Sequence, residues 1–441
     1  SASFREIIKK DKVVVQKIEV MNGEWINYLA IGEFAKVKGG KRMPAGTALT
    51  SKKSNHPYLR IVDFKDGTID KKNLQYVPDD IFPRISRYVI SSNDLYISIV
   101  GTIGLIGFIP KELNGSNLTE NAAKICSIDE RKVNPIYLGY FLQSKVGQTA
   151  IHALTVGSTQ PKLALFRIEQ IKVPCPPLPI QKEIAAILSS LDDRITLLRE
   201  TNKTLEAIAQ ALFKSWFIDF DPVRAKMENK IPEGMDEETA ALFPDSLEES
   251  ELGMIPKGWK VSTVGDFFIL LMGQSPPGNT YNENENGLPF YQGCTDFGFR
   301  FPMKRIYCSE PARIAEIGDT LVSVRAPVGD VNMAIEKCCI GRGVASVRHG
   351  EDYRSFTFYL MRSLSKRFDN FDSEGTIFGS ITKKDFQSLP VISPSLSTLV
   401  AYDEISKPID DRIIQNEQKI RTLANLRDTL LPRLISGQIR V

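Results

Sequence analysis

A chain of 441 residues with 42% hydrophobic content has room for about three ordinary domains and too many apolar residues for a disordered polymer. No stretch approaches the ~18 uninterrupted apolar residues of a membrane helix, and Ser1-Ala2-Ser3-Phe4-Arg5 carries no apolar signal-peptide core. The net charge of +3 is uneven: residues 221–251 hold ten acids against three bases, so the remainder carries +10, a balance compatible with a polyanionic partner.

In chain order, a globular unit is expected over residues 20–177. Within it, Asp94-Leu95-Tyr96-Ile97-Ser98-Ile99-Val100-Gly101-Thr102-Ile103-Gly104 alternates with period two and ends in a glycine turn, which reads as a strand. Next, Ile184, Ile187, Leu191, Ile195, Leu198, Leu205, Ile208, Leu212 and Trp216 recur every three or four residues, which predicts a long amphipathic helix over 178–218. An acidic connection follows over 219–256, then a second globular unit over 257–395. A second helix, over 396–436, carries Ile409, Ile413, Ile420, Leu423, Leu426, Leu430 and Leu434, and Pro432 is expected to kink or end it.

The second half repeats the first. Asp319, Ser323 and Gly329 match Asp94, Ser98 and Gly104 at the same spacing, which sets Arg325 against Val100. Trp259 with Gly265 echoes Trp25 with Gly32, and Asp296-Phe297 echoes Asp63-Phe64. Gly375-Thr376-Ile377-Phe378 echoes Gly157-Ser158-Thr159-Gln160, and Asp410-Asp411-Arg412-Ile413 repeats Asp192-Asp193-Arg194-Ile195. The fold class expected is α+β: two α/β-type globular units in pseudo-two-fold repeat, separated by two long antiparallel coiled-coil helices. Ile184, Leu191, Leu198, Leu205 and Leu212 would pair with Ile413, Ile420, Leu423 and Leu430. Asn202 and Asn416 interrupt the stripes, either as register devices or at a wet edge.

Catalytic motifs are missing. There is no phosphate loop of the G-x-x-x-x-G-K-[ST] type, and Gly101-x-x-Gly104-x-x-Gly107 has the wrong spacing for a dinucleotide loop and reads as a turn. Ser275-Pro276-Pro277-Gly278 lacks the aromatic that an amino-methyltransferase stacks on its flipped base. Glu228-Asn229-Lys230 and Glu417-Gln418-Lys419 lack the strand and second acid of a nuclease. His56, His152 and His349 share no ligand spacing, so no metal site is expected. The six cysteines, Cys126, Cys175, Cys294, Cys308, Cys338 and Cys339, form no Cys-x-x-Cys, which points to a reducing, cytoplasmic setting.

The units do carry basic and amide side chains in candidate loops. In the first these are Lys41, Arg42, Lys52, Lys53, Arg60, Thr102, Ser158, Gln160 and Lys162. In the second they are Gln274, Ser275, Lys304, Arg305, Arg325, Arg342 and Lys383. Arg and Lys neutralise phosphates or pair with guanine, and Gln pairs with adenine. Each basic cluster is equally readable as solvated surface. Arg325 stands out as a cation inside an apolar strand pattern, with a core-threading stem as the bland alternative.

Four segments carry a resemblance. Leu178-Pro179-Ile180-Gln181-Lys182-Glu183-Ile184-Ala185 opens the first helix, and Ser215-Trp216-Phe217-Ile218-Asp219-Phe220-Asp221-Pro222 closes it. Leu252-Gly253-Met254-Ile255-Pro256-Lys257-Gly258-Trp259-Lys260-Val261 leads into the second unit, and Leu430-Leu431-Pro432-Arg433-Leu434-Ile435-Ser436-Gly437 ends the chain's second helix. In this order they resemble the specificity subunits of type I restriction–modification enzymes. The resemblance implies two target recognition domains, each reading half of a split, asymmetric DNA site, with the helices as spacer. It implies double-stranded DNA, two modification subunits and restriction/translocase subunits as partners, and no membrane. S-adenosylmethionine, ATP and Mg would be bound by those partners, with no cofactor and no catalysis in this chain. The sequence departs from the family pattern at Gly375-Thr376-Ile377-Phe378-Gly379, which lacks the amide of Gln160. Two rivals remain: a solitary nuclease or methyltransferase with a disguised site, and a coiled-coil protein adaptor without DNA specificity.

Overall fold

The computed structural model describes residues 27–157, 161–365, 367–368 and 379–439. The chain divides into two compact units, Ser1–Leu197 with Ile420–Val441, and Leu198–Lys419. The two long helices run Leu178–Phe217 and Leu396–Ile435, and each gives one part to each unit.

The first unit is built on an antiparallel sheet ordered Lys36–Gly39, Ala122–Cys126, Leu95–Ser98, Ile106–Phe108. The strand expected near Asp94 is there, but Leu95–Ser98 is buried at every position and has no solvent face. Successive side chains point to opposite faces of the strand, and each face meets its own core. Leu95 and Ile97 join Tyr137, Leu138 and Phe141 of the helix Pro135–Gln143, while Tyr96 joins Leu59, Phe64 and Leu118. That helix begins where Asn134 Oδ1 accepts from the Tyr137 amide at 3.0 Å, with Pro135 in the first turn. A smaller sheet, ordered Gln75–Tyr76, Pro57–Leu59, Ser116–Leu118, Val89–Ile90, contains one parallel pair, Pro57–Leu59 beside Ser116–Leu118.

The motif Gln181 has a physical task in this unit. Its buried amide donates to the Lys132 and Pro176 carbonyls at 3.1 and 2.8 Å and accepts from the Asn134 amide at 2.9 Å, tying the start of the long helix to the globular part. Beyond it Ile184, Ala185 and Leu188 share a core with Leu431, Leu434 and Ile435, and further along Arg427 pairs with Asp192, so the helix segments of this unit run antiparallel. Leu191 and Leu423 are half-buried, Leu430 packs on that core, and Ile420 is buried. Pro432 does not end the helix, which continues to Ile435, and Pro408 is likewise internal. Burial of Leu431, Leu434 and Ile435 offsets the hydrogen bond that the Pro432 ring removes.

The second unit repeats the sheet order with Phe268–Met272, Val344–His349, Thr320–Val324 and Val328–Met333. Its smaller sheet has five strands, Tyr281–Asn282, Tyr307–Cys308, Leu288–Tyr291, Cys338–Ile340 and Ile314–Ala315. Ala209, Phe213 and Trp216 of one helix share a core with Leu399, Tyr402 and Ile413 of the other, while Leu205 and Leu212 pack at its edge. Leu198 is buried, whereas Ile208 is half exposed, as is Leu426 in the first unit. The two interrupting asparagines are buried: Asn416 donates to Asn202 Oδ1 and Asn202 to Glu417, both at 2.8 Å. These bonds form in one alignment of the helices, so the pair selects register.

The acidic stretch is not a plain connection. It forms the helices Asp221–Met227 and Glu237–Ala241 and the hairpin Leu247–Ser250 with Gly253–Pro256. Phe220, Val223, Phe243 and Ile255 are buried in the second unit's core, where Phe243 packs edge-on to Trp216 at 5.0 Å. Its acids lie mostly outward, which is why composition alone reads as a linker.

Candidate DNA interface

Backbone hydrogen bonds define equivalent positions in the two units. The Gly40 amide donates to the Ala122 carbonyl and Lys41 to Leu118; Gly273 donates to Val344 and Gln274 to Ile340. The Thr119 amide donates to Leu59 and Gly341 to Tyr291; Ile99 donates to Asn121 and Val324 to Gly343. Lys41 therefore corresponds to Gln274, Arg42 to Ser275, Glu120 to Arg342 and Val100 to Arg325. A Cβ at Gly40 would stand 2.1 Å from the Thr119 carbonyl oxygen, and one at Gly273 2.2 Å from that of Gly341. Only glycine lets these two loops approach so closely.

The strand-end turns are also alike. Ser98 Oγ donates to the Thr102 carbonyl and accepts from the Leu105 amide; Ser323 Oγ does the same with Pro327 and Asp330. The turn puts Thr102 at the surface, with Gly104 and Gly329 both at a left-handed φ near 90°. Val100 bridges to Lys162 and Arg325 to Ser380, after which each chain leaves the sheet. Arg325 is exposed and does not thread the core.

In the second unit this scaffold surrounds a cavity of about 300 Å³ lined by Ser275, Gln292, Cys294, Thr295, Arg325 and Arg342. Arg342 Nε points to Ser275 Oγ at 3.4 Å, and among the described residues neither Arg325 nor Arg342 has a carboxylate partner. The Gln292–Asp296 loop on its rim is braced by Asp296, which accepts from the Gln292 amide at 2.8 Å and pairs with Arg305. Arg305 is thereby committed to structure, and Lys304 pairs with Glu336 at 2.6 Å. Gln274 is exposed beside the cavity, while Lys383 opens the helix Lys383–Ser388 behind its Thr382 cap.

In the first unit Arg42 Nε donates to Glu120 at 2.6 Å. Thr119 donates to the other Glu120 oxygen at 3.2 Å; the Tyr58 hydroxyl lies 3.3 Å from that oxygen and donates to the nearer Lys41 carbonyl at 2.8 Å. Burial works to raise the Glu120 carboxyl, but the Arg42 hydrogen bond and local donors hold it below the usual range. Burial pushes the Tyr58 hydroxyl up to about 12, so it stays a donor. A neighbouring cavity of about 450 Å³ is lined by Lys38, Arg87, Tyr88 and Lys124, with Lys41 Nζ 5.7 Å from the Tyr88 ring centre. Lys52, Lys53 and Lys162 are exposed. Arg60 bridges Asp63 at 2.8 Å and the Asn73 carbonyl at 2.8 Å, a structural role like that of Arg305. Ser158 and Gln160 lie outside the described residues, as does the segment Gly375–Phe378.

The structure thus brings Ser275, Arg325 and Arg342 together and sets Lys41 and Arg42 on one loop; it diverts Arg60, Lys304 and Arg305 into ion pairs. Sequence reasoning missed Glu120, Tyr88, Arg87 and Lys38 in the first unit and Gln292 and Thr295 in the second. The sequence repeat did not point to Glu120: carried on from Asp94/Asp319 at constant spacing it sets Glu120 opposite Ala345, and only the backbone hydrogen bonds bring it to the place of Arg342. Among the described residues no group of three or more His, Cys, Asp or Glu could hold a metal ion, and no helix is long and apolar enough to cross a membrane.

The family model for the type I restriction modification DNA specificity domain matches twice, at residues 23–207 and 256–425. The chain is 30% identical over 408 residues to a putative type I restriction enzyme specificity subunit, MjaX, of Methanocaldococcus jannaschii, covering 88% of each. It is 25% identical over 427 residues to the HindI specificity subunit of Haemophilus influenzae, covering 84% of this chain and 87% of the relative. A crystal structure of the type I restriction–modification S subunit from M. genitalium has the same fold, with a TM-score of 0.54 at 17% identity over 94% of this chain and 98% of that one. With two matched domains covering most of its length, the chain belongs to the type I restriction–modification DNA specificity family.

Proposed function

We propose that this chain selects the DNA sequence for a type I restriction–modification complex, each unit reading one half of a bipartite, asymmetric site, while modification and restriction subunits dock on it and do the chemistry. The observation that carries this reading is the second unit's cavity, where Arg325 and Arg342 stand free of carboxylates beside Ser275 and Gln292. Free guanidinium groups with hydroxyl and amide neighbours suit base edges and phosphates. The exposed Lys52, Lys53 and Lys383 suit phosphates, and different side chains on one repeated scaffold give two different half-sites. S-adenosylmethionine, ATP and Mg belong to the partner subunits in this reading, and the chain itself is non-catalytic.

The test is to co-express the chain with its modification subunit and map adenine methylation across a bacterial genome. One split, asymmetric motif that vanishes when this chain is omitted is the expected result. Binding of the assembled complex to that motif should weaken steeply with salt and survive random competitor DNA. A folded complex that marks no motif and shows no sequence preference would return the chain to a protein-adaptor role.

A further inference from the structure

The same pair of positions presents a tethered arginine in both units, but from opposite members of the pair. In the first unit the arginine is Arg42, on the loop after Lys36–Gly39, and its tether is Glu120. In the second the arginine is Arg342, at the position of Glu120, and its tether is Ser275, at the position of Arg42. In both cases the tether engages Nε, at 2.6 Å and 3.4 Å respectively. That leaves the two Nη groups of each guanidinium as a planar fork. The Arg42 side chain is 79% exposed despite its ion pair, and Arg342 is exposed at the cavity mouth.

We infer that Arg42 and Arg342 are the guanine-reading residues of their half-sites, with Glu120 and Ser275 as the positioning residues that orient each fork. An Nε-held guanidinium presents two parallel N–H donors that match guanine O6 and N7, a pairing no other base edge in the major groove offers. Glu120 suits the positioning task because both its oxygens are engaged: Arg42 donates to one and Thr119 to the other, with the Tyr58 hydroxyl 3.3 Å from the second. Ser275 is the weaker tether, so Arg342 keeps more rotational freedom and relies on the cavity wall for its orientation. The inference rests on the specificity reading above.

The experiment uses the complex with its modification subunit and compares wild type with Arg42→Lys, Arg342→Lys and Glu120→Gln. Lysine keeps the charge and loses the fork, so non-specific DNA binding and its salt slope should persist. Methylation mapping should show one guanine position become degenerate, in one half-site for Arg42→Lys and in the other for Arg342→Lys. Preference for guanine there should fall about 10- to 100-fold in competition between duplexes differing only at that base. Glu120→Gln should relax the Arg42 position more mildly and leave the other half-site intact. Where a variant marks too little DNA to map, the duplex competition is the deciding measurement. Unchanged motifs and unchanged preference in both lysine variants would overturn the inference and leave the specificity reading standing. A wild-type complex without a motif would overturn both.

Discussion

Asp192 and Asp410 occupy matching places in the repeated Asp-Asp-Arg-Ile, yet they live in different electrostatic worlds. In the first unit Asp192 accepts from Tyr140 at 2.6 Å and from Arg427 at 2.7 Å, with about a third of its side chain exposed at 34%. In the second, Asp410 is buried and accepts from Arg300 at 2.5 Å and from Ser355. Arg300 is fully buried; its guanidinium lies 3.4 Å from the Phe358 ring centre and within 3.9 Å of Glu206, which also pairs with Arg362. Burial works to raise the Asp410 carboxyl, and Arg300 and Ser355 oppose it. The lesson is that a duplicated motif preserves a place for a carboxylate without preserving what that carboxylate is worth. An ion pair near water contributes little, whereas a buried one leaves a stranded charge if either partner goes.

Removing one side of each pair breaks the comparison most sharply. Arg300→Ala should destabilise the second unit by roughly 3–5 kcal/mol, because Asp410 and Glu206 remain buried without it. Asp192→Asn should cost the first unit no more than about 1 kcal/mol. Amide exchange resolved by unit measures both, and equal losses would mean that burial does not separate the two carboxylates.

A smaller effect tests where the two units should behave alike. Gly40→Ala and Gly273→Ala both drive a Cβ into a carbonyl oxygen, so each should cost about 1–3 kcal/mol in its own unit. Tolerance of alanine at one position but not the other would show that the loop sockets are not equivalent.

The smallest expected effect concerns His349, which packs against Phe267, Phe268 and Tyr353 with ring centres 5.0, 5.9 and 5.0 Å away. Burial lowers its affinity for a proton below the ordinary value of 6.5, with Glu351 opposing. The folded unit therefore favours the neutral ring, and the unfolded chain takes up the proton first. Stability of the second unit should hold above about pH 6.5 and decline as pH falls below it. His349→Phe should flatten that decline in denaturant titrations at several pH values; an unaltered profile would remove His349 as its source.

Local pattern carried much of the architecture. The three-to-four spacing of Ile184 to Trp216 and of Ile409 to Leu434 is enough for two long helices, because a helix repeats every 3.6 residues and each needs a partner for its apolar stripe. Asp94 to Gly104 and its repeat at Asp319 fix a strand and turn in each unit, since Ser98 and Ser323 bond within a few residues of themselves. The acidic stretch was misread because charge counts dominate its composition, while four buried apolar side chains, Phe220, Val223, Phe243 and Ile255, decide its place.

What the sequence by itself determined was the duplication, the helices and the kinds of side chain available for DNA. Only the tertiary structure decided which charges are spent and which are free. Arg42 meets Glu120 across 78 residues and Arg300 meets Asp410 across 110, distances over which no local pattern operates. Arg305 and Arg342 look equally basic along the chain, yet one braces Asp296 and the other stands open at a cavity. Charge is a property of the residue, whereas its desolvation and its partner are properties of the fold.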